Sequence, residues 1–480
     1  MHADPPLAQL TSKIQAALDE ATAKGVATGF QYALFNRDSI IFSGVSGYST
    51  VPTEASPEGV PYCEDDVCQL ASCAKLSMSM IVLHILERGL TKQGFTLADL
   101  DNPNAVAEVL PEFAMGSGHL VSKVIEGFER DQSGRRVMKL RDPKRRVTLR
   151  MLFTHTAGTS YWFTHQLMAE SYQGSDGNEP LKGIAGFSGD ISDFDVPLVA
   201  EPGTAWDYGH GVDWLAQFAV RSTGKNIRAL FREIILEPLS LSINEVDIWD
   251  GPHITDSIVP MYIRNPSADQ RDRRAGFEAI AFPIYSTEGD PPKGKAHYAG
   301  ASMYASTRSY AKILQAVLRR DERILRASTW DMVYADGVGP LDAPGLWNGM
   351  SYKASIPMYS YDVPCFATPA TAGSPETSNL LGCALETGLT LSGRPAGSFG
   401  WAGIANSYYF IDPVNGIGAM LSTQLMPFFD PEVIEIRDRL EKIIYENLHC
   451  LPGYAPIRNI IPTYSPIWRA VCRIFSFLTR

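Results

Sequence analysis

The chain has 480 residues, of which 45% are hydrophobic and 20% are charged. A globular chain of this size buries a large core and needs no disulfide or metal ion to stabilise it. Its formal net charge of −11 disfavours binding to nucleic acid or to an anionic membrane through the body of the protein.

The cysteines and the N-terminus indicate the compartment. Seven cysteines are too few, and odd in number, for a disulfide framework. Cys63 and Cys68 are close in sequence but lack a second pair of metal ligands, so we expect no metal ion and no other cofactor. The N-terminus lacks a basic region followed by an apolar core, and no apolar run is long enough to cross a bilayer. We therefore expect a soluble, cytoplasmic protein. Apolar neighbours surround most of the cysteines, among them Cys73, Cys365, Cys383 and Cys472.

Helical spacing predicts a first helix over residues 6–24, and alternating β-forming residues predict two strands over residues 29–48. A turn at Asn36-Arg37-Asp38 separates these strands. Helical spacing returns over residues 72–90. From there to about residue 280 the sequence predicts a mixture of helices and loops.

The C-terminal part begins with a predicted helix over residues 307–319, capped by Ser306 or Thr307. Two strands are predicted within residues 405–424, and an amphipathic helix over residues 430–448 closes the pattern.

Strands clustered at both ends of the chain predict an α+β fold, in which an antiparallel sheet is flanked by helices. We expect a single two-lobed domain over residues 1–450. The α/β lobe would comprise about residues 1–65 and 290–450, and a mostly helical second lobe about residues 66–289. A cleft between two lobes is a usual place for a site. Residues 451–480 form a C-terminal extension.

Ser72 and Lys75 open the predicted helix over residues 72–90 and lie one helical turn apart on the same face. A serine hydroxyl is a weak nucleophile until a base removes its proton, and a partly neutral amine can do so. Taken alone, this pair is more typical of an N-cap serine with a surface lysine. A second copy, Ser309 with Lys312, lies on an amphipathic helix and is interpreted as structural.

Two later segments add chemistry to the first. Tyr208 stands in a glycine-rich turn before a predicted helix, and a phenol near an ammonium group can act as an acid or base. Residues 399–406 read Phe-Gly-Trp-Ala-Gly-Ile-Ala-Asn and lead into a strand. Glycine in a strand lets a substrate approach closely, and backbone N–H groups can then stabilise an oxyanion.

Together and in this order, the three segments resemble the superfamily of serine β-lactamases, penicillin-binding proteins and related esterases. Residues 147–158 and 300–307 resemble further blocks of that superfamily. The sequence looks most similar to fungal transesterases of the lovastatin acyltransferase type, which share a Tyr-Gly-x-Gly-x-Asp-Trp block and a Trp-x-Gly-x-x-Asn block. The resemblance covers roughly residues 8–450.

The resemblance implies a β-lactamase/transpeptidase-like fold and a set of roles. Ser72 would be the nucleophile, Lys75 its base partner, and Tyr208 the residue that relays protons to and from the leaving or entering hydroxyl. Backbone N–H groups of Ser72 and of the region Gly403–Ile404 would form the oxyanion hole.

The chain departs from the β-lactamase pattern at two positions. Trp401-Ala402-Gly403 lacks the lysine or histidine and the hydroxyl residue that engage a β-lactam carboxylate, so a larger and less charged substrate fits better. His210 replaces an asparagine, where it either assists proton transfer or forms a hydrogen-bonded pocket wall. The predicted oxyanion-hole or substrate-binding residues are Trp401, Gly403, Ile404 and His210.

Other aromatic residues admit structural interpretations. His155 is more typical of a buried structural residue than of a base. The triple Tyr161-Trp162-Phe163 lines the mouth of a cleft or belongs to the core. A helical face in the C-terminal extension, formed by Trp468, Val471, Phe475 and Leu478, either contacts a membrane surface or docks on the body, unless the segment is disordered.

The first functional hypothesis is an acyltransferase of secondary-metabolite biosynthesis. It takes an acyl group from a thioester or ester, either free or attached to a carrier protein, and transfers it to the hydroxyl of a small-molecule acceptor. The alternative is a carboxylester hydrolase, in which water replaces the alcohol. A third hypothesis, a non-catalytic binding protein, conflicts with the presence of Ser72, Lys75 and Tyr208 together.

Overall fold

The computed structural model describes residues 5–53, 56–171, 187–264, 276–339, 352–364 and 377–454. The α-helices are α1 (Pro5–Ala23), α2 (Ala74–Glu87), α3 (Ala105–Val109), α4 (Leu149–Phe153), α5 (Gln166–Ser171), α6 (Gly211–Thr223), α7 (Ile227–Phe231), α8 (Glu237–Leu239), α9 (Thr307–Leu318), α10 (Ala327–Val333) and α11 (Pro431–Glu446). The β-strands are β1 (Gly29–Asn36), β2 (Ile40–Thr50), β3 (Val60–Pro61), β4 (Cys68–Gln69), β5 (Val124–Arg130), β6 (Arg136–Arg141), β7 (Val246–Asp247), β8 (Met261–Arg264), β9 (Phe277–Ile280), β10 (Tyr304–Ala305), β11 (Thr377–Ser378), β12 (Ala384–Leu385), β13 (Phe399–Gly403), β14 (Ser407–Asp412), β15 (Ile417–Ser422) and β16 (Leu425–Met426).

The main sheet is antiparallel and joins the two ends of the chain. Its strand order is β11-β12-β13-β14-β15-β1-β2-β3. The N-terminal strand β1 pairs directly with the C-terminal strand β15, with Gln31 opposite Ser422. This arrangement confirms the predicted α+β fold, in which both ends of the chain build one sheet.

Helices pack on the main sheet, whose central strands are largely apolar. Every residue of β13, β14 and β15 is buried, so neither face of these strands is open to solvent. Helix α1 packs against α11 and β2, and α9 packs against β1 and β15. These contacts explain why α1, α9 and α11 have the amphipathic spacing from which they were predicted.

Helix α2 differs from those three because it is buried on all sides. Twelve of its fourteen residues are buried, and these include Lys75, Ser77 and Ser79. It packs against α6, whose first turn follows Tyr208. A helix that is buried all round lies inside the protein, so a charged residue on it is a candidate for function.

The middle of the chain contains more β-structure than periodicity predicted. Strands β5 and β6 form a hairpin around the polar turn at residues 131–135. Short strands β7, β8 and β9 pair with segments from elsewhere in the chain. Strands of two to four residues are too short to show alternation in the sequence. The division of residues 1–450 into two lobes stays a prediction.

The structure describes the C-terminal extension only as far as Tyr454. The helical face predicted for residues 468–478 lies outside the described residues. Within the described ranges, the helices fall short of the length and apolar character that a bilayer span requires.

Candidate active site

Three distant segments bring an alcohol, an amine and a phenol together. The Lys75 Nζ lies 3.2 Å from Ser72 Oγ, and the Tyr208 hydroxyl lies 2.7 Å from the same oxygen. The structure thus brings together the three residues predicted from the sequence as the catalytic set.

Ser72 is held on a strained turn rather than at a regular helix N-cap. It lies in a 3₁₀ turn, Ala71–Cys73, that leads into α2. Ala71, the residue before it, has a positive φ of 44°. A non-glycine residue in this region is uncommon, and such strain is concentrated at functional sites. The turn presents the Ser72 side chain beside Lys75 and Tyr208.

The edge of β13 lies directly against this turn. A Cβ atom on Gly403 would lie 2.2 Å from the carbonyl oxygen of Leu70, so only glycine permits the approach. Asn406 closes the turn between β13 and β14 with a φ of 56°. Its side-chain amide donates to the carbonyls of Leu425 and Pro427 over 2.8 and 2.7 Å. These contacts fix the Gly403–Ile404 segment beside Ser72.

Lys75 is fully buried and hydrogen-bonded at three points. Besides Ser72 Oγ, its Nζ contacts the Gly300 carbonyl oxygen at 2.9 Å and the Tyr161 hydroxyl at 3.2 Å. Burial lowers the pKa of Lys75 to about 8, against the attraction of the Asp213 carboxylate, which favours the ammonium form. An appreciable fraction of Lys75 is therefore neutral near pH 7 and able to accept a proton.

Asp213 is the carboxylate beneath Lys75. Its Oδ2 accepts a hydrogen bond from Tyr161 over 3.1 Å, and its Oδ1 accepts one from the Gly300 N–H over 2.8 Å. His210 Nδ1 lies 3.5 Å from Oδ2. Burial alone would raise the pKa of Asp213, but His210, Lys75 and the Gly300 N–H together hold it below its usual value. Asp213 is therefore ionised at neutral pH.

Tyr208 is enclosed by aromatic rings. Its ring makes edge contacts with Trp401 at 5.5 Å and with His155 at 5.0 Å between centroids. Burial raises the pKa of Tyr208, and hydrogen bonds with the side chains of Ser72 and Trp401 oppose that effect. The phenol therefore stays protonated at neutral pH, and its proton points at Ser72 Oγ.

A cavity opens in front of Ser72. Ser72, Tyr208, Gly403 and Ile404 all contribute to its wall. The remaining wall is largely apolar and comprises Ala71, Tyr161, Phe163, Phe187, Phe282, Ile284, Ala301, Tyr352, Ala402 and Phe428. The described wall thus has the character of a binding site for an uncharged group.

The other predicted site residues lie behind this cavity. Trp401 contacts Tyr208 and stacks on His155 at 5.8 Å with an angle of 8° between the rings. His210 is 1% exposed, and its ring packs edge-on against Tyr161 at 4.4 Å. Both residues are therefore placed to support Tyr208, Tyr161 and Asp213, and neither is among the described residues of the cavity wall.

Two other interpretations from the sequence can be compared with the structure. His155 is fully buried, and burial together with the charge of Lys75 lowers its pKa to about 3, as expected for a structural imidazole. Lys312, from the second serine–lysine pair, is partly exposed and forms an ion pair with Glu245 at 2.7 Å. That pair is structural, as predicted.

Sequence reasoning missed Asp213 and Gly300 as parts of the site. Asp213 is the aspartate of the Tyr-Gly-x-Gly-x-Asp-Trp block that begins at Tyr208, and its place between the apolar Val212 and Trp214 was the available signal. Gly300 acts through its backbone N–H and carbonyl groups, which no side-chain pattern reveals. The prediction left Tyr161 open between cleft and core, and the structure places it at the cavity wall and in contact with Lys75.

Comparison with known proteins tests these interpretations. The family model described as Beta-lactamase matches residues 14–441. The chain is 29% identical over 402 residues to a monacolin J acid methylbutanoyltransferase of Aspergillus terreus, covering 83% of this chain and 86% of that protein. It is also 25% identical to a lovastatin esterase of Penicillium rubens, over 69% of this chain and 73% of the relative.

Solved structures agree on the fold. A mutant form of a simvastatin synthase from Aspergillus terreus superposes with a TM-score of 0.69 at 24% identity. The match covers 92% of this chain and 96% of that one. These findings confirm the predictions of the fold and of an acyltransferase enzyme, and they show that the chain belongs to the Beta-lactamase family.

Proposed function

We propose that Ser72 of this acyltransferase forms a covalent acyl-enzyme and passes the acyl group to an acceptor alcohol in secondary-metabolite biosynthesis. The observation that supports this most directly is the pair of contacts on Ser72 Oγ, 3.2 Å to Lys75 and 2.7 Å to Tyr208. A nucleophile within hydrogen-bond reach of two proton-handling groups is the arrangement that covalent acyl transfer requires.

The first half-reaction forms the acyl-enzyme. Neutral Lys75 takes the proton of Ser72 as its oxygen attacks the carbonyl carbon of the donor. When the tetrahedral intermediate collapses, the bond to the leaving thiol or alcohol breaks. Tyr208 donates its proton to that leaving group, and the ammonium of Lys75 then returns a proton to Tyr208. The site ends this step acylated, with Lys75 again neutral.

The second half-reaction reverses these roles. The acceptor alcohol enters where the leaving group departed, and Tyr208 with Lys75 removes its proton as its oxygen attacks the acyl carbon. The bond between that carbon and Ser72 Oγ then breaks, and Ser72 regains its proton from Lys75. One ester forms for each donor bond broken, so the balance needs no further reactant.

Each of the two tetrahedral intermediates carries an oxyanion. Hydrogen-bond donors that stabilise it must lie where the Ala71–Cys73 turn meets β13. We assign this role to the backbone N–H groups of Ser72 and of the Gly403–Ile404 segment. The support is their shared place in the cavity wall and the close approach of Gly403 to Leu70. Preorganised donors of this kind contribute about 3 kcal/mol each to transition-state stabilisation. Trp401 and His210 act as positioning residues behind them.

The cavity wall supports an apolar substrate group. Phe163, Phe282 and Phe428 supply aromatic surface, and the described wall contains no charged side chain. The relative from Aspergillus terreus is named for transferring a methylbutanoyl group to monacolin J acid. By analogy, the donor is a short branched or linear acyl thioester or ester, free or attached to a carrier protein, and the acceptor is a small-molecule alcohol.

The working compartment is proposed as the cytoplasm. The cysteines in the described ranges, Cys63, Cys68, Cys73, Cys383 and Cys450, are all free thiols. Free cysteines are typical of proteins that work in a reducing compartment.

The similarity to the lovastatin esterase of Penicillium rubens supports the hydrolase alternative. Product analysis separates the two activities. The enzyme is incubated with a butanoyl thioester and increasing concentrations of a secondary alcohol, and ester and free acid are quantified. We expect ester to replace acid as the alcohol concentration rises, and Ser72→Ala to form neither. Free acid alone at every alcohol concentration would contradict the transferase proposal.

A further inference from the structure

The buried carboxylate of Asp213 has no part in the reaction steps above, yet it is linked to Lys75 along two routes. One route runs through the Tyr161 hydroxyl, with hydrogen bonds of 3.2 and 3.1 Å. The other runs through the backbone of Gly300, whose N–H donates to Asp213 over 2.8 Å and whose carbonyl oxygen accepts from Lys75 over 2.9 Å. The four residues therefore form a closed ring of hydrogen bonds.

The direction of each hydrogen bond in this ring is fixed. An ionised carboxylate only accepts, so Tyr161 must donate its single proton to Asp213. The Tyr161 oxygen can then only accept from Lys75. The Gly300 carbonyl oxygen likewise only accepts. Both contacts therefore require a proton from Lys75, whether the amine is charged or neutral.

This requirement determines where the lone pair of neutral Lys75 points. A neutral amine has two protons and one lone pair, and the ring occupies both protons. The remaining direction is towards Ser72 Oγ, 3.2 Å away. We propose that Asp213, acting through Tyr161 and the Gly300 backbone, aims the lone pair of Lys75 at the Ser72 hydroxyl. Asp213 and Tyr161 are therefore positioning residues for the catalytic base, an inference that rests on the function proposed above.

The ring has no space for adjustment at Gly300. A Cβ atom on this residue would lie 2.7 Å from Asp213 Oδ1 and 3.1 Å from its Cγ. Any side chain would therefore displace the carboxylate. Asp213, Tyr161 and Lys75 are each no more than 2% exposed, so water does not substitute readily for a missing partner.

Other titratable groups also face Lys75. The charge of Asp213 favours the ammonium form, whereas burial disfavours it. The Tyr208 ring centroid lies 4.9 Å from Nζ and that of Tyr161 5.3 Å. Cys73 on the same turn and His155 behind Tyr208 also interact with the Lys75 charge. Among these groups, Asp213 is the one carboxylate and the one full negative charge at neutral pH.

The test is the pH dependence of Ser72 acylation, followed by release of p-nitrophenol from p-nitrophenyl butanoate. Tyr161→Phe keeps the aromatic side chain in the cavity wall but removes the hydroxyl oxygen that accepts a hydrogen bond from Lys75. We expect the limiting acylation rate to fall by about 10- to 100-fold, with the KM changed by no more than about threefold. Tyr334→Phe is the matched control, because its buried hydroxyl donates to the Val317 carbonyl away from Lys75.

Asp213→Asn tests the charge. Removing it withdraws the attraction that favours the ammonium form, so the acidic limb of the rate profile should move to lower pH by roughly one unit. A purely structural role would lower the rate at every pH without moving that limb. Thermal unfolding confirms that each variant is folded, and if Asp213→Asn is not, Tyr161→Phe decides the test.

Ser72→Ala distinguishes failure of this inference from failure of the proposed function. Loss of acylation in Ser72→Ala, with wild-type rates and pH profiles in folded Tyr161→Phe and Asp213→Asn, would overturn the positioning role alone. Wild-type turnover in Ser72→Ala would overturn the proposed function and this inference together.

Discussion

The Tyr208 hydroxyl donates a hydrogen bond to Ser72 Oγ over 2.7 Å, although 136 residues separate them in the sequence. Helices α2 and α6 pack against each other, and Tyr208 precedes α6 just as Ser72 precedes α2. The packing of these two helices therefore brings their N-terminal turns together. The function proposed above depends on this contact.

Replacing Tyr208 with phenylalanine should remove the proton relay and leave the packing in place. Both the aromatic contacts of the ring and its buried position are retained, so the free energy of unfolding should fall by no more than about 1.5 kcal/mol. Turnover of an acyl thioester should fall by roughly 10²- to 10⁴-fold. The measurement is kcat together with thermal unfolding, and retention of wild-type kcat would contradict the relay.

Activity should rise with pH in the neutral range because the neutral form of Lys75 is the base. Its pKa of about 8 lies well below the ordinary value of 10.5. Below that pKa the neutral fraction falls about tenfold for each pH unit, and the acylation rate should fall with it. Above it the rate should level off. An acylation rate that stays constant between about pH 5 and about pH 9 would exclude Lys75 as the base.

Lys75→Arg should abolish acylation even though it keeps a positive charge. A guanidinium group is not deprotonated in proteins, so it cannot accept the Ser72 proton. We expect a loss of at least about 100-fold in the acylation rate.

The second serine–lysine pair supplies the control for this variant. Lys312→Arg preserves the partly exposed ion pair with Glu245 and should leave the acylation rate unchanged. Equal losses in Lys75→Arg and Lys312→Arg would show that neither effect arises from the proposed chemistry.

Gly403→Ala should impair the oxyanion hole by moving a strand edge. The added methyl group would lie 2.2 Å from the Leu70 carbonyl oxygen, so the backbone before Ser72 or the end of β13 must shift. We expect kcat to fall by about 10²-fold or more, the effect of losing one oxyanion donor. Gly289→Ala is the matched control, since a Cβ atom there meets nothing within 4 Å. Similar kcat values for the two variants would contradict the placement of the hole.

The amino-acid sequence predicted those elements whose physical basis is local. Helices α1, α9 and α11 have amphipathic spacing, and β14 and β15 are apolar runs on either side of a turn, so their positions were apparent. Ser72 and Tyr208 were recognised from short motifs. The contact between them was inferred from the resemblance, because spacing alone contains no information on two helices packing together.

Other parts of the site depend on tertiary contacts that no pattern reveals. The hydrogen-bonded ring around Lys75 uses the backbone N–H and carbonyl of Gly300, and such backbone groups carry no sequence signal. Trp401 was predicted as an oxyanion-hole or substrate-binding residue, and no sequence pattern indicated that its indole packs against Tyr208 and His155. Asp213 belongs to a recognisable block of the sequence. Its link to Lys75, however, depends on the packing of α6 against α2, which the sequence does not show.

The account depends most directly on a covalent bond between the acyl group and Ser72. Intact-mass analysis of the protein mixed with a butanoyl thioester, followed by peptide mapping, measures it. The account predicts one added butanoyl group on the peptide that contains Ser72, and no added mass in Ser72→Ala. Turnover without any adduct on that peptide, or an equal adduct in Ser72→Ala, would contradict it.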